Sequence, residues 1–281
     1  MSGLLIFGMG YSGTAIAAAA RQAGFTVTGT TRAGLDGSIP FDAAESAIQS
    51  ATHLLSSVGP TEAGDPVLAR YSSAIAAAPR LRWIGFLSST VVYGDRRGGW
   101  VDEDTPAAPS QPRGQRRVDA EDAWAGFADR RAVDIFRLGG IYGPGRSAFD
   151  DLRAGSARRM IKPGHQFGRI HRDDIALGVL AAMRQDRAPG RRILNLVDDE
   201  PSESAAVVTE AAMLLGTAPP PAVDFASAQA TMSAMARSFW AEHRKVASAK
   251  TKAALGIAWR YPTYRDGLRA ILVEERANGL P

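Results

Sequence analysis

The chain of 281 residues contains no cysteine. That excludes a disulfide scaffold, thiolate–zinc and iron–sulfur sites, and a cysteine nucleophile. Lysine is nearly absent too: four lysines (Lys162, Lys245, Lys250, Lys252) stand against 29 arginines. The arginines are scattered and the formal charge is only +4, so a nucleic-acid partner is not expected; an anionic small molecule accounts for them at least as well. No apolar run approaches the ~18 residues of a membrane span. The N-terminal MSGLLIFGMGYSG lacks the basic region and apolar length of a signal peptide. A soluble, cytoplasmic protein that does not bind membranes is the expectation. The four histidines form no zinc-ligand spacing, and neither GxSxG nor a Walker sequence occurs.

Glycine is plentiful, with 29 residues, and its placement is informative. Leu4 to Phe7 reads as a strand buried on both faces and runs into Gly8-Met9-Gly10-Tyr11-Ser12-Gly13. A helix follows from Thr14 to Ala23, stopped by Gly24, and Phe25 to Thr30 is a second strand. Strand, glycine turn, helix and strand make one βαβ unit, the context a dinucleotide-binding fingerprint requires. Gly8 allows the tight turn, Gly10 the approach of a pyrophosphate and Gly13 close helix–sheet packing, while the amides of the helix start at Tyr11 and Ser12 face the phosphates.

The end of the second strand bears on cofactor choice. An NAD site wants a carboxylate there for the ribose hydroxyls. This chain has Thr30-Thr31-Arg32 and no acid before Asp36. A hydroxyl and a guanidinium suit a 2′-phosphate, so NADP is preferred, with NAD as second choice. Asp42, after a short third strand at Ile39–Phe41, would accept from the adenine amino group.

Further strands are expected at Leu54–Val58, Trp83–Leu87, Val133–Leu138 and Arg192–Val197. The helices between them fall at Ala43–Ala51, Asp65–Ala78, Gln115–Ala128 and Asp173–Met183, and no helix separates the second strand from the third. The expected fold is α/β: a Rossmann-type doubly wound parallel sheet with a smaller, mostly helical C-terminal substrate lobe. Residues 1–145, with 171–198 returning to the sheet, would form the dinucleotide domain; residues 146–170 and 199–281 would form the lobe.

Three segments carry a resemblance. Ser88-Ser89-Thr90-Val91-Val92-Tyr93-Gly94, Arg137-Leu138-Gly139-Gly140-Ile141-Tyr142-Gly143-Pro144-Gly145 and Ile170-His171-Arg172-Asp173-Asp174-Ile175, in this order, resemble the signatures of the extended short-chain dehydrogenase/reductase family, the NAD-dependent epimerase/dehydratase group. The resemblance implies that Ser89 polarises the substrate and that Tyr93 and Gly94 are structural; Thr90 and Tyr93 also stand as candidates for substrate contact, and Val58 and Ser88 for the cofactor wall. Tyr142 would border the nicotinamide, and the His171 segment would brace the sheet end. The family's Tyr and Lys, four positions apart, fall on Arg113 and Arg117. Arginine has no acceptor and is not deprotonated in proteins, so Arg113 cannot be a general acid or base. It could hold an anionic group of the substrate, while Arg117 could serve as the catalytic cation.

Two readings follow. One is an NADP-binding oxidoreductase or epimerase-like protein acting on an anionic small molecule such as a nucleotide sugar, with Ser89, Arg117 and Tyr142 as its catalytic set. The other is a non-catalytic NADP(H)-binding or redox-sensing protein with a degenerate site. A homodimer through the helices carrying Tyr71, Ile75, Val118 and Trp124 is also conceivable, as in the family.

Overall fold

A computed structural model describes residues 2–279. Seven strands form one parallel sheet: β1 Gly3–Phe7, β2 Thr26–Thr31, β3 Ile39–Pro40, β4 His53–Ser56, β5 Trp83–Ser89, β6 Ala132–Leu138 and β7 Gly190–Leu196. Their order is β7-β6-β5-β4-β1-β2-β3. The chain runs outward from β1 to β3, then crosses back to place β4 on the other side of β1, where Phe7 sits between Thr30 and Ser56. That reversal opens a crevice at the carboxyl ends of the strands, where ligands of such sheets bind.

Alternation along each strand divides the core. Leu4 and Ile6 face one side with Ile16, Ala17 and Ala20 of helix α1 (Tyr11–Gln22), and Leu5 and Phe7 face the other. The second face is covered by α2 (Glu45–Ser50), α3 (Pro66–Ala77) and α4 (Pro112–Ala125). As expected, no helix joins β2 to β3; the connection is a turn, and β3 pairs with the end of β2. Gly24 ends α1 with φ +86°, the left-handed conformation that a helix-terminating glycine adopts without cost.

Beyond β6 come α5 (Ala148–Arg153), α6 (Arg172–Met183, on the α1 face of the sheet) and α7 (Ser204–Leu214). They are followed by α8 (Phe225–Gln229), α9 (Ala234–Ala241), α10 (Ala249–Leu255) and α11 (Tyr264–Ala277). α5, α7 and α11 enclose a small core of their own around Phe149, Ala211, Leu268 and Ile271. Residues 245–259 leave the lobe: Lys245–Val246 pairs with Trp100–Val101, and Leu255 and Trp259 join the core on the sheet.

The helix side chains considered for a dimer are spent within the chain. Tyr71, Ile75 and Trp124 are buried against the sheet, Val118 packs on a neighbouring core cluster, and the Tyr71 hydroxyl donates to the Phe41 carbonyl. No helix is long and apolar enough to cross a membrane among the described residues.

Candidate functional site

A cavity of 630 Å³ lies at the carboxyl ends of β1, β4, β5 and β6, within the usual range for small-molecule sites. One end is the glycine turn. Gly8 has φ +91°, and a Cβ on Gly13 would lie 2.2 Å from the Gly8 carbonyl oxygen. A Cβ on Gly10 would meet nothing within 4 Å, so the backbone there is open to a ligand. α1 begins at Tyr11 with neither a side-chain cap nor an acid in its first turn, leaving its first amides to an anion. Gly13→Ala is expected to force the turn apart. NADPH should then raise the melting temperature of the wild type but not of the variant; an equal rise in both would refute the packing argument.

At the end of β2 the two sequence-predicted residues divide. Arg32 is exposed and has no hydrogen bond or ion pair among the described residues, as a phosphate ligand requires. Thr31 is already committed. Its Oγ1 accepts from the N–H groups of Gly34 and Leu35, both at 3.0 Å, and lies 2.7 Å from Ser38 Oγ. It therefore holds the 32–38 loop rather than meeting the cofactor, because turn-forming hydroxyls saturate on local backbone. Asp42 is exposed in the short helical turn Phe41–Ala43, and Val58 lies just beyond β4, against Gly8.

The far wall is formed by the ends of β5 and β6, α4 and the lobe. Ser89 and Thr90 line it, and Ser89 Oγ accepts from the Val91 N–H. Three expectations fail here. Ser88 does line the cavity, but its hydroxyl donates to buried Glu121 (2.6 Å), which leaves its backbone rather than its side chain for a cofactor. Tyr93 is fully buried, donates to Asn195 Oδ1 (2.8 Å) and lies under the Arg137 guanidinium; it cannot touch a substrate. Tyr142 lies outside this cavity, its hydroxyl wedged against Gly267 of α11. Burial, with Asp198 and Asp174 nearby, drives its pKa further up, so it is no proton exchanger near neutrality. Ser88 and Tyr93 are drawn inward because buried partners satisfy them, whereas Tyr142 packs against α11 with its hydroxyl 3.5 Å from the Thr263 carbonyl.

Arg117 reaches the cavity from α4, donating through Nη1 to the Leu87 carbonyl (2.9 Å), with no carboxylate in ion-pair range among the described residues. Burial, then the neighbouring Arg113, lowers its pKa, yet arginine remains cationic. Arg113 is exposed at the start of α4, its guanidinium 4.8 Å from the Phe239 ring across the cavity. Arg146, Arg169 and Arg244 complete a wall of five arginines facing one carboxylate, Glu242. Glu242 is itself satisfied by Ser110 Oγ (2.6 Å) and Arg244 Nη1 (2.8 Å). Tyr11 lines the cavity with its hydroxyl on the Pro144 carbonyl.

Sequence reading missed the lobe's contribution: Gln166 to Arg169, Phe239, Trp240, Glu242 and Arg244. The irregular Gly/Pro-rich stretch before His171 was the available signal. Its tertiary reason is the parallel pairing of Arg169–His171 with Gly140–Tyr142, which swings Arg169 to the cavity. His171 braces the sheet end, its Nδ1 accepting from the Asp173 N–H at the start of α6. Among the described residues no group of three His, Asp or Glu could hold a metal ion.

Comparison with known proteins adds the following. No family model matches the chain. Protein YeeZ of Escherichia coli K12 is 34% identical over 146 residues, 52% of this chain and 50% of that protein. The chain thus spans about half the length of the curated relatives it matches. A functionally unknown conserved protein from Silicibacter pomeroyi is 41% identical, with a TM-score of 0.89 over 98% of this chain and 99% of that one. The human epimerase family protein SDR39U1, solved with NADPH, is 20% identical with a TM-score of 0.81, covering 96% of this chain and 98% of that one.

Proposed function

Because this chain belongs to one family with the Silicibacter pomeroyi protein, within the extended short-chain dehydrogenase/reductase (NAD-dependent epimerase/dehydratase) fold group, we propose that it is an NADP(H)-binding oxidoreductase-type protein. Its second ligand is an anionic small molecule, a nucleotide sugar being one such anion. The observation that carries this reading is the cavity itself: an open glycine turn, and a lining of five arginines, Arg146 among them over the Tyr11 ring, against one already paired carboxylate.

The residues fit the cofactor. Gly10 and the first amides of α1 would hold the diphosphate, Arg32 the 2′-phosphate and Asp42 the adenine edge. NADP(H) bound there supplies or accepts a hydride. Ser89 and Thr90 would orient the reacting oxygen, and Arg117 would stabilise negative charge on it. Arg117 cannot hand over a proton, so a proton at that oxygen must come from the hydroxyls or from water.

One observation favours the second reading, a protein that holds NADP(H) without turnover. Neither tyrosine expected near the substrate reaches the cavity freely, and Glu242 is ion-paired. Calorimetric titration with NADP+, NADPH, NAD+ and NADH tests the shared part. The phosphorylated pair should bind at least tenfold tighter, and Arg32→Ala should erase that difference while leaving NAD+ unchanged. If none of the four binds, both readings fall. Given binding, loss of NADPH absorbance with a sugar-nucleotide panel, abolished in Arg117→Met, separates turnover from holding.

A further inference from the structure

A second cavity, of 410 Å³, adjoins the first on the lobe side and shares Ile141, Arg146 and Arg169 with it. Its own wall includes Tyr264, Val207 and Leu268 from α11 and α7. Arg169 uses Nη1 for the Phe167 and Ser202 carbonyls and Ser202 Oγ; its Nε and Nη2 make no hydrogen bond among the described residues. Arg146 is exposed; its backbone pairs with Gly143, but its guanidinium has neither a hydrogen bond nor an ion pair among them and lies over the Tyr11 ring at 5.6 Å. Two guanidiniums with unused donors thus stand where the cavities meet. Asp150 and Asp151 border only the second cavity. Asp150 is occupied by the N–H and hydroxyl of Ser147, and Asp151 faces Ser156.

We propose that this second cavity is a specificity subsite: the ligand's phosphate or carboxylate is gripped between Arg146 and Arg169, and an apolar or aromatic portion lies against Tyr264, Val207 and Leu268. This rests on the reading that the main cavity takes an anion. Unused N–H donors of a planar guanidinium bind an anion's oxygens two at a time. A ring laid in the cavity displaces water from half-buried Val207, while Tyr264 and Leu268, already buried, shape the wall behind it. A bare anion would use only half of what the subsite offers.

The test is titration of NADP+-saturated protein with phenyl phosphate and with inorganic phosphate. Phenyl phosphate should bind at least tenfold more tightly. Val207→Phe narrows the second cavity alone; it should bring phenyl phosphate down to the level of inorganic phosphate, without changing affinity for inorganic phosphate or NADP+. Arg146→Glu, at an exposed position where the fold is not at risk, should weaken both anions at least tenfold. Equal affinities for the two anions in the wild type, or a Val207→Phe variant that melts normally and still prefers phenyl phosphate, overturns the proposal. If NADP+ does not bind, the same titrations on the cofactor-free protein decide the subsite separately.

Discussion

Replacing Glu121 by alanine is expected to destabilise the fold by about 3–5 kcal/mol, the cost of stranding one charge of a buried pair. Glu121 is fully buried on α4. Its carboxylate accepts from Arg137 Nε (3.2 Å) and Nη2 (2.7 Å) and from Ser88 Oγ (2.6 Å). Arg137 is itself buried in β6 and lies over the Tyr93 ring at 4.7 Å, so its guanidinium has no exposed position to turn to once the carboxylate is lost; the exposed Arg191 approaches the same carboxylate at 3.7 Å. The Tyr93 hydroxyl continues the chain of contacts to Asn195, whose N–H and side-chain amide reach Thr251 and Ala247. The network thus ties α4, β5, β6, β7 and α10 together. Arg117 lies one helical turn before Glu121, so a shift of α4 also moves the cavity's cation. Glu121→Ala should lower the melting temperature by roughly 10 °C and weaken NADPH binding with it. Glu121→Ala/Arg137→Met should regain most of the stability, because removing both charges strands neither. A single variant that unfolds within 1 kcal/mol of the wild type in urea would show that the pair anchors nothing.

The second large effect is in the pH dependence of stability. Asp198 is buried beyond β7, and neither carboxylate oxygen has a hydrogen-bond partner among the described residues. Burial raises its pKa from 3.8 to about 8, against the pull of Arg169. The folded chain therefore holds a proton that the unfolded chain has released, and stability falls as pH rises from about 4 to about 8. His53, His165 and His171 act in the opposite sense. Burial holds each at about 4, below the ordinary 6.5. The unfolded chain takes up their protons first, so their contribution is lost as pH falls from about 6.5 to about 4.

Below pH 6.5 the three histidines, joined by His243, which burial also lowers, outweigh Asp198 and the likewise raised Asp174; above it Asp198 sets most of the slope. These groups place maximum stability near pH 6.5, with a decline of about 2 kcal/mol by pH 8 at ~1.4 kcal/mol per unit. Asp198→Asn should flatten that alkaline limb and raise the melting temperature at pH 8, leaving the acid limb in place. Urea melts at pH 5, 6.5 and 8 would decide it. A variant with an unchanged alkaline limb would remove Asp198 from the account.

Much of the architecture is visible in the chain because it depends on local pattern. Four apolar residues ending in Gly8 read as a buried strand meeting a turn, and Gly13 answers to a clash one can foresee, since a Cβ there has nowhere to go, while Gly10 leaves the backbone open. The missing helix between β2 and β3 follows from counting residues, and Arg32 just past the strand end is exposed. What sequence could not reveal is which polar groups the interior claims. Ser88, Tyr93, Tyr142 and Thr31 each look like ligands by position, yet each hydroxyl turns to a partner or packing contact inside the protein. Thr31 is held by its own loop, but for Ser88, Tyr93 and Tyr142 the turn depends on residues 33 to 125 positions away, and no local period records it. The same holds for the arginine wall. Arg113 and Arg117 were legible from one helix, but Arg146, Arg169 and Arg244 reach the cavity only through the pairing of Arg169–His171 with Gly140–Tyr142 and of Lys245–Val246 with Trp100–Val101. Local sequence thus determined the sheet and the glycine turn. The tertiary structure decided where charge collects, because burial and long-range pairing, rather than residue type, select which side chains remain free for a ligand.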